Sequence, residues 1–300
     1  MKPLSRLFLF LIALCLQAQI CAAQSRRNKL VDKQTPKKVI PFIKNDSISG
    51  RDLQKAWKLD FSDEFNDTEI DTTKWNIETS IKKRIDITLF ADKDQLEEKN
   101  GNIYIYYRKS GINDTAYNAG RFTSQNKYTP TYGFFECRMH VVKPNGHQTA
   151  FWMMPSLRKG MSSKEGVDGT ANDGAEIDIV EATKEHAFSL GLHWDGYEKP
   201  AHKSNGRLIK APNMHDTEFH VYGFEWTPSY LKFYFDGEVV ATMTDAKLIP
   251  HVAEFIYVSG SCFGANNWVD GDIRKNEFIQ NGNTDKAYID YIRVYKSRNQ

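Results

Sequence analysis

The sequence has 300 residues, of which 26% are charged and 40% hydrophobic, and its net charge is +2. The charge is uneven, because residues 24–48 contain seven basic side chains and only two aspartates. The chain that follows is mildly acidic, which argues against a nucleic-acid partner.

The first 23 residues have the pattern of a signal peptide. Lys2 and Arg6 precede an apolar stretch at 7–16, and small residues follow up to Ala23. About ten apolar residues are too few to cross a bilayer, so we expect cleavage after Ala23 and no stable membrane insertion. Residues 24–49 are polar and basic and predict a flexible lead-in. The expected location is therefore secreted or periplasmic.

Residues 50–300 show the pattern of one all-β domain. Aromatic and β-branched segments with alternating polarity lie at 102–108, 133–141, 230–235 and 287–295. Asn-Gly and Asp-Gly turn signals separate several of them, and helical periodicity is nearly absent. This pattern predicts a β-sandwich jelly roll with a concave substrate cleft. Cys137 and Cys262 lie in such apolar segments, and we expect two buried thiols rather than a disulfide.

The segment 146–154 contains a candidate residue for substrate binding. Strand alternation places Trp152 on the same face as Gln148 and Ala150. Sugar rings pack their C–H faces on aromatic rings, so Trp152 on an open face would bind a glycan. Packing in the core is the other common position for a tryptophan, and periodicity does not decide between the two.

Three carboxylates occur in the segment Ala175-Glu-Ile-Asp-Ile-Val-Glu181. Strict alternation puts Glu176 and Asp178 on one face but points Glu181 into the core. A buried unpaired carboxylate is very costly, so we expect a β-bulge near Ile179 and Val180 that returns Glu181 to the face of Glu176.

Two interpretations fit three carboxylates on one strand face. They are solvated or bind Ca²⁺, or they catalyse hydrolysis. In the second case strand curvature brings Glu176 and Glu181 to the ~5–5.5 Å of a retaining glycosidase. Asp178 then lies between them and tunes the charge of the nucleophile. The pattern alone leaves both interpretations open.

The next segment, 186–194, places a histidine beside these acids. Its apolar side chains share one face, namely Phe188, Leu190 and Leu192. We expect His193 on the opposite face, in the cleft, where it would bond Glu181 or the sugar, although a lone histidine is often structural. Trp194, Tyr197 and Trp268 are further candidates for substrate binding at the rim of the cleft.

Eight motifs, taken in order, carry a resemblance to a known family. They are Leu59-Asp-Phe-Ser-Asp-Glu-Phe65, Asp71-Thr-Thr-Lys-Trp-Asn76, Gly120-Arg-Phe-Thr-Ser124, Tyr132-Gly-Phe-Phe-Glu-Cys-Arg138, Ala150-Phe-Trp-Met-Met-Pro155, Glu176-Ile-Asp-Ile-Val-Glu181, Phe219-His-Val-Tyr-Gly-Phe-Glu-Trp-Thr-Pro228 and Tyr288-Ile-Asp-Tyr-Ile-Arg-Val-Tyr295. Over residues 57–296 the sequence resembles glycoside hydrolase family 16, the laminarinase, agarase and carrageenase group.

The resemblance implies a jelly-roll fold and hydrolysis with retention of anomeric configuration. It implies that Glu176 is the nucleophile, Asp178 its assistant and Glu181 the general acid/base. Arg121 and Trp152 match positions that hold the sugars on the non-reducing side. Catalysis of this kind needs no redox or organic cofactor.

The resemblance also suggests a structural metal ion. Many family members carry Ca²⁺ on the convex side of the sandwich, and Glu64 and Asp290 match the acidic residues that hold it. Ordinary salt bridges at the surface are the alternative role for these two side chains.

The expected substrate is a galactose-containing glycan. Typical laminarinases share a glycine-glycine-x-tryptophan-proline-glycine segment, which residues 258–268 lack. Residues 173–181 and 193–197 resemble members that cleave host O-glycans or algal galactans. We therefore expect a monomeric endo-β-galactosidase. The alternatives are an endo-β-1,3-glucanase and a glycan-binding module without turnover.

Overall fold

The computed structural model describes residues 30–32, 56–215, 219–265 and 268–299. The predicted signal peptide and, apart from residues 30–32, the predicted lead-in lie outside these residues. In the described chain no helix is both long enough and apolar enough to cross a membrane.

The described residues form mainly β-strands. The strands are β1 (Trp57–Asp63), β2 (Asn76–Ile77), β3 (Ser80–Lys83), β4 (Thr88–Ala91), β5 (Leu96–Lys99), β6 (Asn102–Lys109), β7 (Ala116–Ala119), β8 (Arg121–Thr123), β9 (Gly133–His140), β10 (His147–Pro155), β11 (Glu176–Lys184), β12 (Ala187–Trp194), β13 (Lys203–Lys210), β14 (His220–Trp226), β15 (Leu231–Phe235), β16 (Glu238–Met243), β17 (Glu254–Cys262) and β18 (Asp285–Ser297). Short 3-10 turns lie at Lys93–Gln95, Lys159–Met161, Ala246–Leu248 and Ile273–Lys275, and one helical turn, α1, spans Glu277–Gln280.

The strands form two sheets. The larger has the order β16-β15-β14-β9-β18-β6-β7-β4-β3, with β1 also paired to β18 and β5 to β6. The smaller has the order β13-β12-β11-β10-β17-β8-β2. The pairing of β4 with β7 is parallel, and the other pairings along these sheets are antiparallel. The predicted all-β sandwich is confirmed.

The core lies between the two sheets, because every second side chain of the central strands points inward. Phe188 of β12 packs edge-on against Tyr222 of β14, with ring centroids 5.6 Å apart. Tyr107 of β6 donates a hydrogen bond to the carbonyl of Gln148 in β10, at 3.0 Å. These contacts join the sheets and leave the other face of β10 and β11 free for the site described below.

Both cysteines of the β-domain are buried free thiols, as predicted. Cys137 lies in β9 of the larger sheet and Cys262 in β17 of the smaller sheet. Burial raises the pKa of Cys262 to about 12, so this thiol stays protonated at neutral pH.

At Gly260 of β17 the two sheets approach each other closely. A Cβ on this residue would lie 2.9 Å from Ile105 Cγ2 and 3.0 Å from Tyr107 Cε1. We expect Gly260→Ala to lower the free energy of unfolding by about 1–3 kcal/mol, because the packed core cannot make room for a methyl group. Chemical denaturation measures the change. Gly206→Ala on exposed β13 is the matched control and should stay within about 0.5 kcal/mol. Equal effects of the two variants would contradict the tight contact.

Candidate active site

A β-bulge in β11 brings the three predicted carboxylates to one face. Phe151 lies opposite Val180, whereas the next residue, Trp152, lies opposite Asp178, so Ile179 has no counterpart on β10. The pairing with β12 skips at the same place. The bulge expected near Ile179 and Val180 is therefore confirmed. It leaves Ile179 and Val180 buried and returns Glu181 to the side of Asp178.

The carboxylate face opens on a cavity of about 990 Å³. Glu176, Asp178 and Glu181 all line it, together with side chains of β2, β8, β10 and β17. Glu176 and Glu181 are partly exposed, whereas Asp178 between them is only 3% exposed. Two accessible carboxyl groups thus flank a buried one.

Burial and mutual repulsion raise the pKa values of these acids. Burial, then the neighbouring Glu176 carboxylate, raise the pKa of Glu181 to about 8, although Gln148 donates a hydrogen bond to it at 2.7 Å. Burial, followed by Glu181 and Glu176, raises the pKa of Asp178 well above its usual range. At neutral pH a proton therefore stays on Glu181, as a general acid requires.

Glu176 has neighbours that favour its charged form. Burial raises its pKa, but the Tyr197 hydroxyl donates a hydrogen bond to Glu176 Oε2, and the charges of Lys82 and Arg121 also lower the pKa. Tyr197 comes from the loop after β12, and its ring is 54% exposed. The two flanking carboxyls thus differ in environment: Glu176 faces a hydroxyl and two cations, and Glu181 faces a neutral amide.

His193 lies beside the acids, as expected, but against Asp178 rather than Glu181. Its Nε2 is 3.7 Å from Asp178 Oδ2, and its Nδ1 is 3.0 Å from Nε2 of His202. Burial and the nearby His202 lower the pKa of His193. A ring nitrogen of His193 and one carboxylate oxygen each of Glu176 and Asp178 lie within 4.8 Å of one another, so His193 adjoins the carboxylate face.

Trp152 and Arg121 line the cavity as part of one stack. The Trp152 ring lies parallel to Tyr257, with centroids 4.2 Å apart, and its Nε1 donates to Ser259 Oγ at 3.1 Å. The Arg121 guanidinium lies 5.2 Å from the Tyr257 centroid and pairs with Glu78 at 3.0 Å. Trp152 is thus on the open face rather than in the core.

The predicted rim position of Trp194 is wrong. It is the last residue of β12, 6% exposed, and packs in the core, because it shares the inward face of Leu192. The other two rim candidates, Tyr197 and Trp268, do line the cavity.

Glu64 and Asp290 do not fit the calcium site that was expected of them. Both oxygens of buried Glu64 accept hydrogen bonds from Arg293, at 2.8 and 2.6 Å. Asp290 pairs with a different arginine, Arg138, at 2.6 Å. A cation would have to displace a guanidinium from each carboxylate, so the salt-bridge alternative describes these side chains.

Three basic residues of the cavity lining were not anticipated. Lys82 and Arg84 come from β3 and the turn after it, and Arg158 comes from the loop after β10. The Arg84 guanidinium lies over the ring of Phe263, 3.9 Å from its centroid. No local pattern identifies these side chains, because strands distant in sequence bring them to the cavity.

The family model described as "Beta-porphyranase A-D, GH16 domain" matches residues 57–297. The chain belongs to glycoside hydrolase family 16. This confirms the resemblance read from the motifs and makes the protein an endo-acting glycosidase. The alternative of a glycan-binding module without turnover is set aside.

Known members are similar to this family 16 glycosidase over most of its length. Glucan endo-1,3-β-glucosidase A1 of Niallia circulans is 26% identical over 80% of the chain, and the match spans 38% of that protein. Keratan-sulfate endo-1,4-β-galactosidase of Sphingobacterium multivorum is 24% identical over 97% of the chain and 67% of its own length. The crystal structure of laminarinase from Flavobacterium sp. UMI-01 is 25% identical with a TM-score of 0.62, covering 80% of this chain and 100% of that one. The jelly-roll prediction is confirmed.

The pKa of Glu181 can be measured directly in this family 16 glycosidase. Carboxyl-carbon NMR of labelled glutamate should show a group that titrates at about 8 and disappears in Glu181→Gln. Gln148→Leu should raise this pKa further, because the amide stabilises the ionised form. Gln125→Leu, also in the lining, is the control and should leave it unchanged. A Glu181 that titrates near the usual glutamate value would contradict the described environment.

Proposed function

We propose that this glycosidase is exported and hydrolyses internal β-linkages of a sulfated, galactose-containing glycan with retention of configuration. The match of the β-porphyranase domain model to residues 57–297 carries the proposal, because that model is named for enzymes of a sulfated algal galactan. The relative from Sphingobacterium multivorum, named for keratan sulfate, adds support.

In the proposed mechanism Glu181 and Glu176 act in two displacements. Glu181 donates its proton to the glycosidic oxygen while Glu176 attacks the anomeric carbon, so the leaving chain departs as an alcohol and a glycosyl ester forms on Glu176. Glu181, now ionised, takes a proton from water, and the water attacks the same carbon and releases Glu176. Asp178, whose pKa is raised by burial and by the charges of Glu181 and Glu176, would carry a proton between the two glutamates and so limit the negative charge beside the nucleophile.

The environments of the two glutamates support these roles. The hydroxyl of Tyr197 and the charges of Lys82 and Arg121 favour ionised Glu176, the state of a nucleophile. The raised pKa of about 8 keeps Glu181 protonated, the state of an acid. Activity should therefore be lost as the pH rises through about 8, where Glu181 gives up its proton.

The charged side chains of the cavity lining favour an anionic sugar chain as the substrate. Lys82, Arg84 and Arg158 add three positive charges to a lining that also holds Arg121. Guanidinium groups bind sulfate and phosphate oxygens with paired hydrogen bonds. The stack of Trp152 on Tyr257 offers an aromatic surface to a sugar ring. A neutral glucan would use the aromatic surface but would offer these cations no anionic group of its own.

A β-1,3-glucan is the second candidate substrate. It is supported by the relative from Niallia circulans, which is named for this activity. The absence of the laminarinase segment from residues 258–268 and the basic lining weigh against it.

The mechanism is tested on two glutamate variants. Glu176→Gln and Glu181→Gln should each lower kcat on the order of 10³-fold or more, because each removes the nucleophile or the acid/base. Glu97→Gln, at the exposed position of β5 in the larger sheet, is the matched control and should keep wild-type kcat. Proton NMR of the first products should show the β-anomer. First products of α-configuration, or unchanged kcat in either variant, would refute the double displacement.

The substrate is tested by incubating the protein with porphyran, agarose, keratan sulfate, mucin and laminarin. Oligosaccharides should form from a sulfated galactan in preference to laminarin. Arg84→Gln should lower kcat/KM on that substrate about tenfold, the effect of one lost charge-assisted contact, and much less on its desulfated form. Higher kcat/KM on laminarin than on every galactan would favour the glucanase instead.

A further inference from the structure

The loop between β12 and β13 brings one side chain back onto the carboxylate strand. This loop spans residues 195–202. The hydroxyl of Tyr197 in the loop donates a hydrogen bond to Glu176 Oε2 and also lies 3.8 Å from Sδ of Met154 in β10. Both partners line the cavity, so the hydroxyl is placed over two neighbouring strands of the smaller sheet.

The first half of the loop is fixed by contacts of its backbone. The N–H of Asp195 donates to the carbonyl of Gly160 at 2.8 Å. Gly196 lies so close to Ser163 that a Cβ on the glycine would collide with the serine side chain. The chain therefore enters the loop along a defined path, up to the residue before Tyr197.

The second half of the loop returns to the sheet through an exposed turn. Residues 198–200 are exposed, and the backbone N–H of His202 donates to the carbonyl of Glu198 at 3.0 Å. The His202 ring contacts two other rings. Its centroid is 6.2 Å from that of Tyr197 and 5.2 Å from that of His193 in β12. His202 thus contacts both Tyr197 and the sheet.

A hydrogen bond between two imidazoles joins His202 to β12. Nε2 of His202 and Nδ1 of His193 are 3.0 Å apart, and the two rings are 8° from parallel. A neutral imidazole has one donor and one acceptor nitrogen, so this bond requires that at least one of the two rings is neutral. Burial, followed by the charge of His202, lowers the pKa of His193, so the bond can form at neutral pH.

These contacts form a closed chain with the carboxylate strand. His193 is the cross-strand partner of Glu176 in the pairing of β11 with β12, and its Nε2 is 3.7 Å from Oδ2 of Asp178. The contacts thus run from Glu176 through Tyr197 and the two histidines back to the same strand. A change at His202 would therefore reach Glu176 through Tyr197.

We propose that His202 is a positioning residue for Glu176, because its bond to the sheet holds the Tyr197 hydroxyl in place. Its effect on catalysis rests on the proposed function, in which Glu176 is the nucleophile, whereas the structural link does not. The Tyr197 hydrogen bond opposes the rise that burial causes in the pKa of Glu176. Without this bond Glu176 would keep its proton to a higher pH, and a protonated carboxyl group is a poor nucleophile.

The proposal is tested on the full chain by carboxyl-carbon NMR of labelled glutamate, with the Glu176 signal identified by its loss in Glu176→Gln. Tyr197→Phe should raise the pKa of Glu176 by about 1, the effect of one charge-assisted hydrogen bond. His202→Phe keeps a ring but has no nitrogen, and it should raise this pKa nearly as far. His202→Gln offers an amide nitrogen to His193 and should keep the wild-type pKa. The acid limb of the kcat/KM profile should move to higher pH in the same two variants.

A double variant separates an effect carried by Tyr197 from a direct effect of the imidazole. In the Tyr197→Phe background, His202→Phe should cause no further rise in the pKa of Glu176, because the hydroxyl that it positions is already absent. A direct effect of charge or packing would add to that of Tyr197→Phe. His186→Phe, in the exposed turn before β12, is the matched control and should change neither the pKa nor the pH profile.

The Tm of each variant shows whether it folds. If His202→Phe does not fold, His202→Ala takes its place. If neither folds, the wild type decides, because a scalar coupling across the N–H···N bond should join the labelled nitrogens of His193 and His202 at neutral pH. Any of three results would overturn the proposal: absence of this coupling, a wild-type pKa of Glu176 in the folded His202 variant, or the same rise with and without the Tyr197 hydroxyl. A rise in His202→Gln equal to that in His202→Phe would do so too.

Activity distinguishes this inference from the proposed function. If Glu176→Gln stays active while His202→Phe raises the pKa of Glu176, the assignment of the nucleophile fails and the link between these residues stands. If Glu176→Gln is inactive and His202→Phe leaves the pKa unchanged, only the role of His202 fails.

Discussion

One extra residue in β11 determines what the rest of the site can do. Without the bulge at Ile179, Glu181 would point between the sheets, where a carboxylate without a partner is strongly unfavourable. With the bulge, Ile179 and Val180 fill the core and three acids face the cavity. The same bulge therefore keeps the core apolar and places the three acids at the cavity.

The acids then depend on an uneven distribution of neighbours. Close carboxylates in a poorly solvated cavity cannot all be ionised at neutral pH. The neighbours of each carboxylate therefore determine which group keeps a proton. Burial raises the pKa of both glutamates. The Tyr197 hydroxyl and the charges of Lys82 and Arg121 oppose this rise at Glu176, whereas at Glu181 the Glu176 carboxylate adds to it and the hydrogen bond from the Gln148 amide opposes it. This asymmetry assigns different protonation states to two residues of the same type.

The features that depend on residues close together in the sequence could be predicted from it. Period-two alternation and the cost of a buried charge were sufficient to place Glu176, Asp178 and the bulge. Alternation along the segment 186–194 also puts Trp194 on the side of Leu192, so the rim position given to Trp194 disagreed with the pattern of its own strand, and β12 includes this residue. The ion pair of Glu64 and Arg293 joins residues that are 229 positions apart, so no local sequence pattern predicts it. The basic residues of the cavity lining were also not predicted, because strands that are distant in sequence bring them together.

The stack of Arg121, Tyr257 and Trp152 is assembled before any sugar arrives. Glu78 holds the guanidinium, Ser259 holds the indole, and the two aromatic rings lie 13° from parallel. The rotational freedom of these side chains is lost during folding, so a bound sugar need not immobilise them. More of the contact energy then remains available to hold a ring at a defined place along the chain. Glu78 belongs to no predicted subsite, but it would therefore influence the affinity of the protein for the polymer.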